Sequence, residues 1–292
     1  MSLSESFTLS NRLTALAQRL GLIGRGPRQI LSCASTLRLP FQMLTPMQDS
    51  IGWQDTLQLQ RLLNLPRNAL SGPVQEDKAS AHSVLTQLVE AQIQPLQSID
   101  LRSIDGFSCA LDTTDYSCFE AYAASTHCKS IRIISYRDFV RTLSQALPNF
   151  QAGETIELRQ ASWRGSRIFW TGEQHGEAFA SAIAYARLRG LEVLLPARLI
   201  RYNLSLVGLD NLQMHYHALA MPGEAWSNPT FMALLLDSGL PYARLSLPKS
   251  SDAPEFLLLP KAHQEATALG EGLRLAGAPD VIDYLRRLVT DD

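Results

Sequence analysis

Apolar residues recur at helical spacing through the first third of the chain, and the spacing shortens near residue 100. Leu9, Leu13, Leu16, Ala17 and Leu20 share one face of a 3.6-residue period, which predicts an amphipathic helix over 9–21 with Gly21 as its stop. The period returns over 53–65 and 77–96, closed by Pro66 and Pro95, with the turn-rich NALSGPVQED at 68–77 between them. Beyond residue 101 the pattern alternates. Short apolar runs at 107–111 and 130–135 predict strands around a helix, and 136–147 predicts a second helix ended by Pro148. TIELRQASWRGSRIFW predicts two strands joined by a two-residue loop at Arg164-Gly165, where glycine supplies the positive φ of a tight hairpin. In that register Arg159 faces Trp170, an expected cation-π pair.

Helix 176–189 ending at Gly190, strand LEVLLPARLIRY, helix 229–237 ending at Gly239, strands 242–247 and 255–259 and helices 262–276 and 280–289 complete the prediction. The pattern implies an α/β fold: a mixed, mostly parallel sheet drawn from 107–260 in a three-layer arrangement with one embedded hairpin, plus a helical N-terminal region. It divides the chain into a helical region over 1–100, packed on the core, and an α/β domain over 101–292.

Composition adds the class of protein. With 292 residues, 46% hydrophobic and 18% charged, the chain can bury a sizeable core and is far from the composition of disordered segments. A net charge of -2 gives no global field to recruit nucleic acid or an anionic membrane. Cys33, Cys109, Cys118 and Cys128 form no CxxC pair and no regular disulfide spacing, which predicts reduced thiols. No apolar run reaches the length of a signal-peptide core or a bilayer span, so the expectation is a soluble, cytoplasmic protein without a transmembrane segment. One local imbalance stands out: Arg12, Arg19, Arg25, Arg28 and Arg38 lie in a stretch with no acid between Glu5 and Asp49. That arm is expected to dock internally, through Leu9, Leu13, Leu16 and Leu20, against the acids of 76–120.

Candidate chemistry centres on FSCALDTTDYSCFEAY, residues 107–122. Asp112 stands where the first α/β strand leaves the sheet, the edge at which open sheets bind ligands. Ser117-x-x-Glu120 matches a capping box, which puts Cys118 in the first turn of a helix whose dipole favours a thiolate. Asp112 and Asp115 oppose that effect, because neighbouring carboxylates disfavour a second negative charge. A second strand-loop-helix, RIFWTGEQHGEAF at 167–179, carries Glu173, His175 and Glu177. If the two strands run parallel, both loops emerge at one edge. Asp112, Cys118 and His175 are then the candidate catalytic residues, as a cysteine with an imidazole base or as a carboxylate-histidine site. Thr113, Thr114, Asp115, Glu173 and Glu177 are the candidate ligand contacts. The competing reading is that the polar residues of 112–117 only satisfy backbone donors.

Other motifs lead away from cofactors. No GxxxxGK[ST] loop or GxGxxG turn is present. LDTTDYSC resembles the first phosphate-binding turn of the actin and heat-shock-chaperone ATPases but lacks the glycine that lets backbone approach phosphate. Residues 176–230 resemble a transglutaminase-type cysteine peptidase core, which implies His217 as base and Asn228 as its orienting partner; the nucleophile position falls near Ala178, so the thiol is absent. His215-Tyr-His217 would chelate a metal only from a strand and with a third ligand, and the cysteine spacing matches no zinc ribbon, so no metal site and no cofactor are expected. DTTDYSCFEAYA, IRIISYRDFVRTLSQALP and LPKAHQEATALGEGLRLAGAPDVIDYL together resemble an uncharacterised bacterial protein family, a likeness that implies no activity. The expected function is binding of a protein or small-molecule partner, with a hydrolase built on loops 112–118 and 173–177 as the alternative.

Overall fold

The computed structural model describes residues 26–44, 49–55, 57–108, 113, 115–237, 239–246 and 255–290. The predicted helix over 9–21 and the arginines at 12, 19 and 25 lie outside these residues, as do Cys109, Asp112 and Thr114. Contacts divide the chain into two compact units, one holding 26–44, 65–86 and 207–285 and the other 49–64, 87–206 and 286–290. Among the described residues the strands are β1 (Leu70–Ser71), β2 (Val89–Asp100), β3 (Gly106–Phe107), β4 (Ile156–Ala161), β5 (Ile168–Trp170), β6 (Leu194–Leu204), β7 (Tyr216–Met221), β8 (Ala243–Leu245) and β9 (Glu255–Pro260). No helix among them is long and apolar enough to cross a membrane.

The first unit carries an antiparallel sheet in the order β1-β8-β9-β7. Its core joins Leu219 and Met221 of β7 and Leu257 and Leu259 of β9 to three helices, Pro27–Ser35, Pro229–Asp237 and Gln264–Leu275. The first and third of these meet closely. A Cβ on Gly272 would come 2.5 Å from the Ala34 Cβ and 2.8 Å from the Leu31 carbonyl oxygen, so glycine sets their approach.

The second unit carries a mixed sheet in the order β2-β6-β4-β5-β3. Pairs β4/β6 and β3/β5 are parallel, and pairs β2/β6 and β4/β5 antiparallel. Helices Phe119–Ala123, Tyr136–Ala146 and Gly176–Arg189 share one core with Leu158, Trp170, Leu195 and Leu199 of this sheet. The opposite face presents Phe169, which meets Trp53 edge-on with ring centroids 5.2 Å apart. The helix Tyr136–Ala146 starts on a capping box in which Ser135 and Asp138 each satisfy the other's backbone N–H, and it buries Phe139 and Leu143. Gly176–Arg189 is alanine-rich, which allows close approach along its length, and Gly190 closes it at φ 63° by donating its N–H to the carbonyls of Ala186 and Arg187.

Several expectations are corrected. The strands of 107–260 do not form one mostly parallel sheet: β7, β8 and β9 leave to make an antiparallel sheet, and the mixed sheet is half antiparallel. One cause is the segment 77–96, expected to be helical, which is a helix only over Gln75–Leu85 and then continues as β2. Pro95, taken as a helix stop, sits inside that strand. β2 is the sheet's edge, where a residue without an N–H costs no ladder bond if it faces outward. The segment 53–65 forms two 3-10 turns, Trp53–Asp55 and Leu59–Asn64, and 131–134 is irregular rather than a strand. The β4-β5 connection includes a 3-10 turn at Ser162–Arg164, longer than the two residues expected, and the register shifts so that Arg159 faces Phe169 and Leu158 faces Trp170. The position near residue 100 where the period changes falls between β2 and the turn Leu101–Ser103, within the second unit.

Candidate functional site

The parallel pair β3/β5 fixes what can meet around the 107–122 segment. Gly106 lies opposite Phe169 and Phe107 opposite Trp170. A Cβ on Gly106 would stand 2.3 Å from the Ile51 carbonyl oxygen and 2.5 Å from the Phe169 ring, so the strand can lie between them only as glycine. Segment 49–55 runs alongside: Phe107 donates its N–H to the Ile51 carbonyl at 2.8 Å, and Ile51 donates to Tyr116 at 2.9 Å. Ile51 therefore bridges Phe107 and Tyr116.

A buried polar cluster sews these pieces together. Ser50, fully buried, donates its hydroxyl to Asp55, and Thr113 donates to the same Asp55 oxygen, Oδ2, at 2.7 Å. Gly52 donates its N–H to Ser50 Oγ at 3.0 Å, and a Cβ there would lie 2.1 Å from both Asp55 Oδ2 and Thr113 Oγ1. Arg164, from the β4-β5 connection, is 8% exposed and donates to three carbonyls: Ser50 at 2.6 Å, Gly52 at 2.9 Å and Trp53 at 3.2 Å. Its guanidinium lies over the Phe169 ring, 4.4 Å from the centroid. Burial, with Arg167 adding repulsion and Asp55 and Asp49 opposing, brings its pKa from 12.5 down to about 10, so it stays charged at neutral pH. The cluster has a serine bonded to a carboxylate but no base on a solvent-exposed hydroxyl, and Ser50 has no surface for a substrate to reach. Its chemistry is that of a tie between three chain segments.

Of the residues proposed for catalysis, Cys118 and His175 lie among the described residues and Asp112 does not. Cys118 is the N-cap of helix Phe119–Ala123 and makes no side-chain capping bond, so the expected Ser117-Glu120 capping box does not form; the helix begins two residues beyond Ser117. Glu120 instead binds Arg187 at 3.1 Å. Burial alone would raise the Glu120 pKa, but its own backbone N–H, Arg187 and the Cys118 thiol outweigh it and leave the carboxyl below its ordinary value. Cys118 thus bonds to Glu120, which in turn pairs with Arg187 of helix Gly176–Arg189. His175 is the N-cap at the other end, exposed, in the left-handed region at φ 56°. The strands are parallel, as the two-loop reading required, and Phe119, next to Cys118, packs on Phe179 of the helix that His175 caps, with ring centroids 6.1 Å apart.

The remaining candidates divide in the same way. Thr113 is buried against Asp55, while Asp115 and Glu173 are exposed. Glu177 lies in the first helical turn, where its carbonyl accepts from the Cys128 thiol at 3.8 Å. Among the described residues no group of three or more His, Cys, Asp or Glu side chains could hold a metal. His215 ends the helix Leu206–His215 and His217 begins in β7, so the two imidazoles do not share a strand face. Asn228 accepts the Phe231 N–H at 3.0 Å as a helix cap, a local role that replaces the orienting one.

The concavities among the described residues of the second unit include two of note. One, of about 220 Å³, is walled by Leu147, Phe150, Glu154, Glu157 and Trp170, and its indole is nearly closed off because Gly172 crosses it and Phe179 stacks on it at 4.1 Å. The other, of about 400 Å³, is lined by Gln160, Ser162, Gly165, Ser166, Arg201 and Asn203. Sequence reasoning used Gly165 only as a turn residue and passed over its five companions. The available signal was that Gln160 and Arg201 stand two positions after Leu158 and Leu199, polar residues ending the apolar row of one strand face.

The chain belongs to a family of unknown function, DUF6685, whose family model matches residues 94–292. No curated protein and no solved structure matches it.

Proposed function

Within this family of unknown function, we propose that the protein is a ligand-binding α/β protein and that its binding site is the 400 Å³ pocket beside Gly165. The observation that carries this reading is the lining itself. Two amides, two hydroxyls, a guanidinium and a glycine turn converge on one concave surface, at a volume typical of small-molecule sites. Such groups hold and orient a polar ligand, and they include no nucleophile paired with a base. The hydrolase alternative rests on Asp112 and on the parallel β3/β5 pair, and the bond of the Cys118 thiol to Glu120 rather than to an imidazole weighs against its thiol-imidazole form. Free thiols at Cys33, Cys118 and Cys128 support a reducing, cytosolic location.

Native mass spectrometry of the purified full chain, before and after denaturation, tests the reading. The expected result is a small molecule released on unfolding and retained less by Gln160→Leu. Turnover of ester or amide substrates that is lost in both Cys118→Ser and His175→Ala would replace it with the hydrolase reading.

A further inference from the structure

The pocket beside Gly165 is built around one fixed guanidinium. Gln160 Nε2 donates to the Ser166 carbonyl at 3.0 Å, which sets the amide's orientation, and Gln160 Oε1 then accepts Arg201 Nε at 2.9 Å. Arg201 is held by its inner nitrogen alone. No hydrogen bond or ion pair occupies its two terminal nitrogens among the described residues, and these form the planar fork that matches an oxyanion.

The turn below it offers further donors. Gly165, at φ 64° and ψ -153°, adopts a conformation open essentially to glycine, and the Ser166 N–H that follows donates to no backbone carbonyl among the described residues. Ser162 Oγ accepts the Leu204 N–H at 3.1 Å, which leaves its hydroxyl proton free to donate. No acidic side chain lines the pocket. The nearest by strand register is Glu90, opposite Asn203, whereas Glu157 is taken up by Arg198 at 3.1 Å.

We propose that this pocket binds the oxyanion of a phosphate- or carboxylate-bearing small molecule, with the Arg201 fork as its main contact and the Gly165-Ser166 turn as its second. The proposal rests on the ligand-binding reading above and names the chemistry of the ligand. Gln160 acts as a positioning residue that fixes Arg201, and Asn203 and Ser162 contact the uncharged remainder of the ligand.

The test is a two-dimensional amide NMR titration of the full chain with inorganic phosphate, with acetate, and with glycerol as a neutral polar probe. Saturable shifts at Gly165 and Ser166 with either anion and not with glycerol are expected. Phosphate or acetate binding tighter than the other by tenfold identifies the source of the oxyanion. Arg201→Gln should weaken anion binding at least tenfold, Gln160→Leu by a smaller factor, and Arg198→Gln, which breaks the pair with Glu157, should leave it unchanged. Shifts with glycerol equal to those with the anions, or undiminished anion binding in Arg201→Gln, would overturn the oxyanion inference and leave ligand binding standing. No saturable shift at these residues with any probe would overturn both.

Discussion

Arg164 is a side chain whose removal should be felt far from its own position. Three carbonyls, from Ser50, Gly52 and Trp53, depend on it inside a buried cluster, and hydrogen bonds from a charged donor are the costly ones to lose. Arg164→Ala is expected to destabilise the protein by about 3 kcal/mol or more, read as a lower urea midpoint. Arg164→Lys should recover only part of this, because an ammonium cannot serve three acceptors in the guanidinium's plane. His217 gives a second prediction at this scale. It is buried in β7, its ring against Gly270, and burial, with Lys261 and Arg274 adding repulsion and Glu271 opposing, takes its pKa from 6.5 to about 4. The unfolded chain therefore binds a proton that the folded one refuses. The stability due to the neutral ring is complete above pH 6.5 and is lost as the pH falls toward 4, a loss of about 3 kcal/mol across that window. His217→Leu should flatten the stability profile between those pH values, and an unchanged acid slope would show that another group controls it.

At the scale of the element, the helix Gly176–Arg189 begins on a left-handed histidine and ends on a left-handed glycine. The glycine end is relaxed and the histidine end is not. His175→Gly is expected to be neutral or to stabilise by up to about 1 kcal/mol, and His175→Val to destabilise by about 1 to 2 kcal/mol, measured by chemical denaturation. This helix was legible in the sequence to the residue, as was Pro229–Asp237, because apolar periodicity, a turn before and a glycine after all agree. Strand β2 was not. Its apolar residues recur at a spacing that also fits a helix, and its edge position, which makes Pro95 acceptable, is a property of the sheet rather than of the segment. The hairpin was recognised and its register missed by one residue, since the 3-10 turn at Ser162–Arg164 lengthens the connection without changing its composition. The buried tie beside the 107–122 segment was the least legible part. Ser50 meets Thr113 across 63 positions and Arg164 meets Ser50 across 114, and no local pattern announces either contact.

At the scale of the whole molecule, the chain passes from one unit to the other five times. Neither unit is a continuous piece of sequence. A fragment of residues 87–206 contains every strand of the mixed sheet yet lacks Ile51 and Trp53 of its packing and all three carbonyl acceptors of Arg164. Expressed alone it is expected to show no cooperative thermal transition by circular dichroism, and a fragment of 49–206 should recover one only if the interrupting 65–86 is tolerated as a loop. A sharp transition in 87–206 alone would mean that the Arg164 tie is dispensable.

The close fit of Ala34 on Gly272 in the first unit also sets a clock. The two residues are roughly 240 positions apart, and at about 5 to 20 residues per second the ribosome needs roughly 12 to 50 s to make the second after the first. A nine-residue helix such as Pro27–Ser35 does not hold together alone in water, so over that interval Ile30 and Ala34 belong to an unstructured nascent segment. Chaperone demand during synthesis therefore falls on the beginning of this chain, and slower translation of its last third lengthens the exposure.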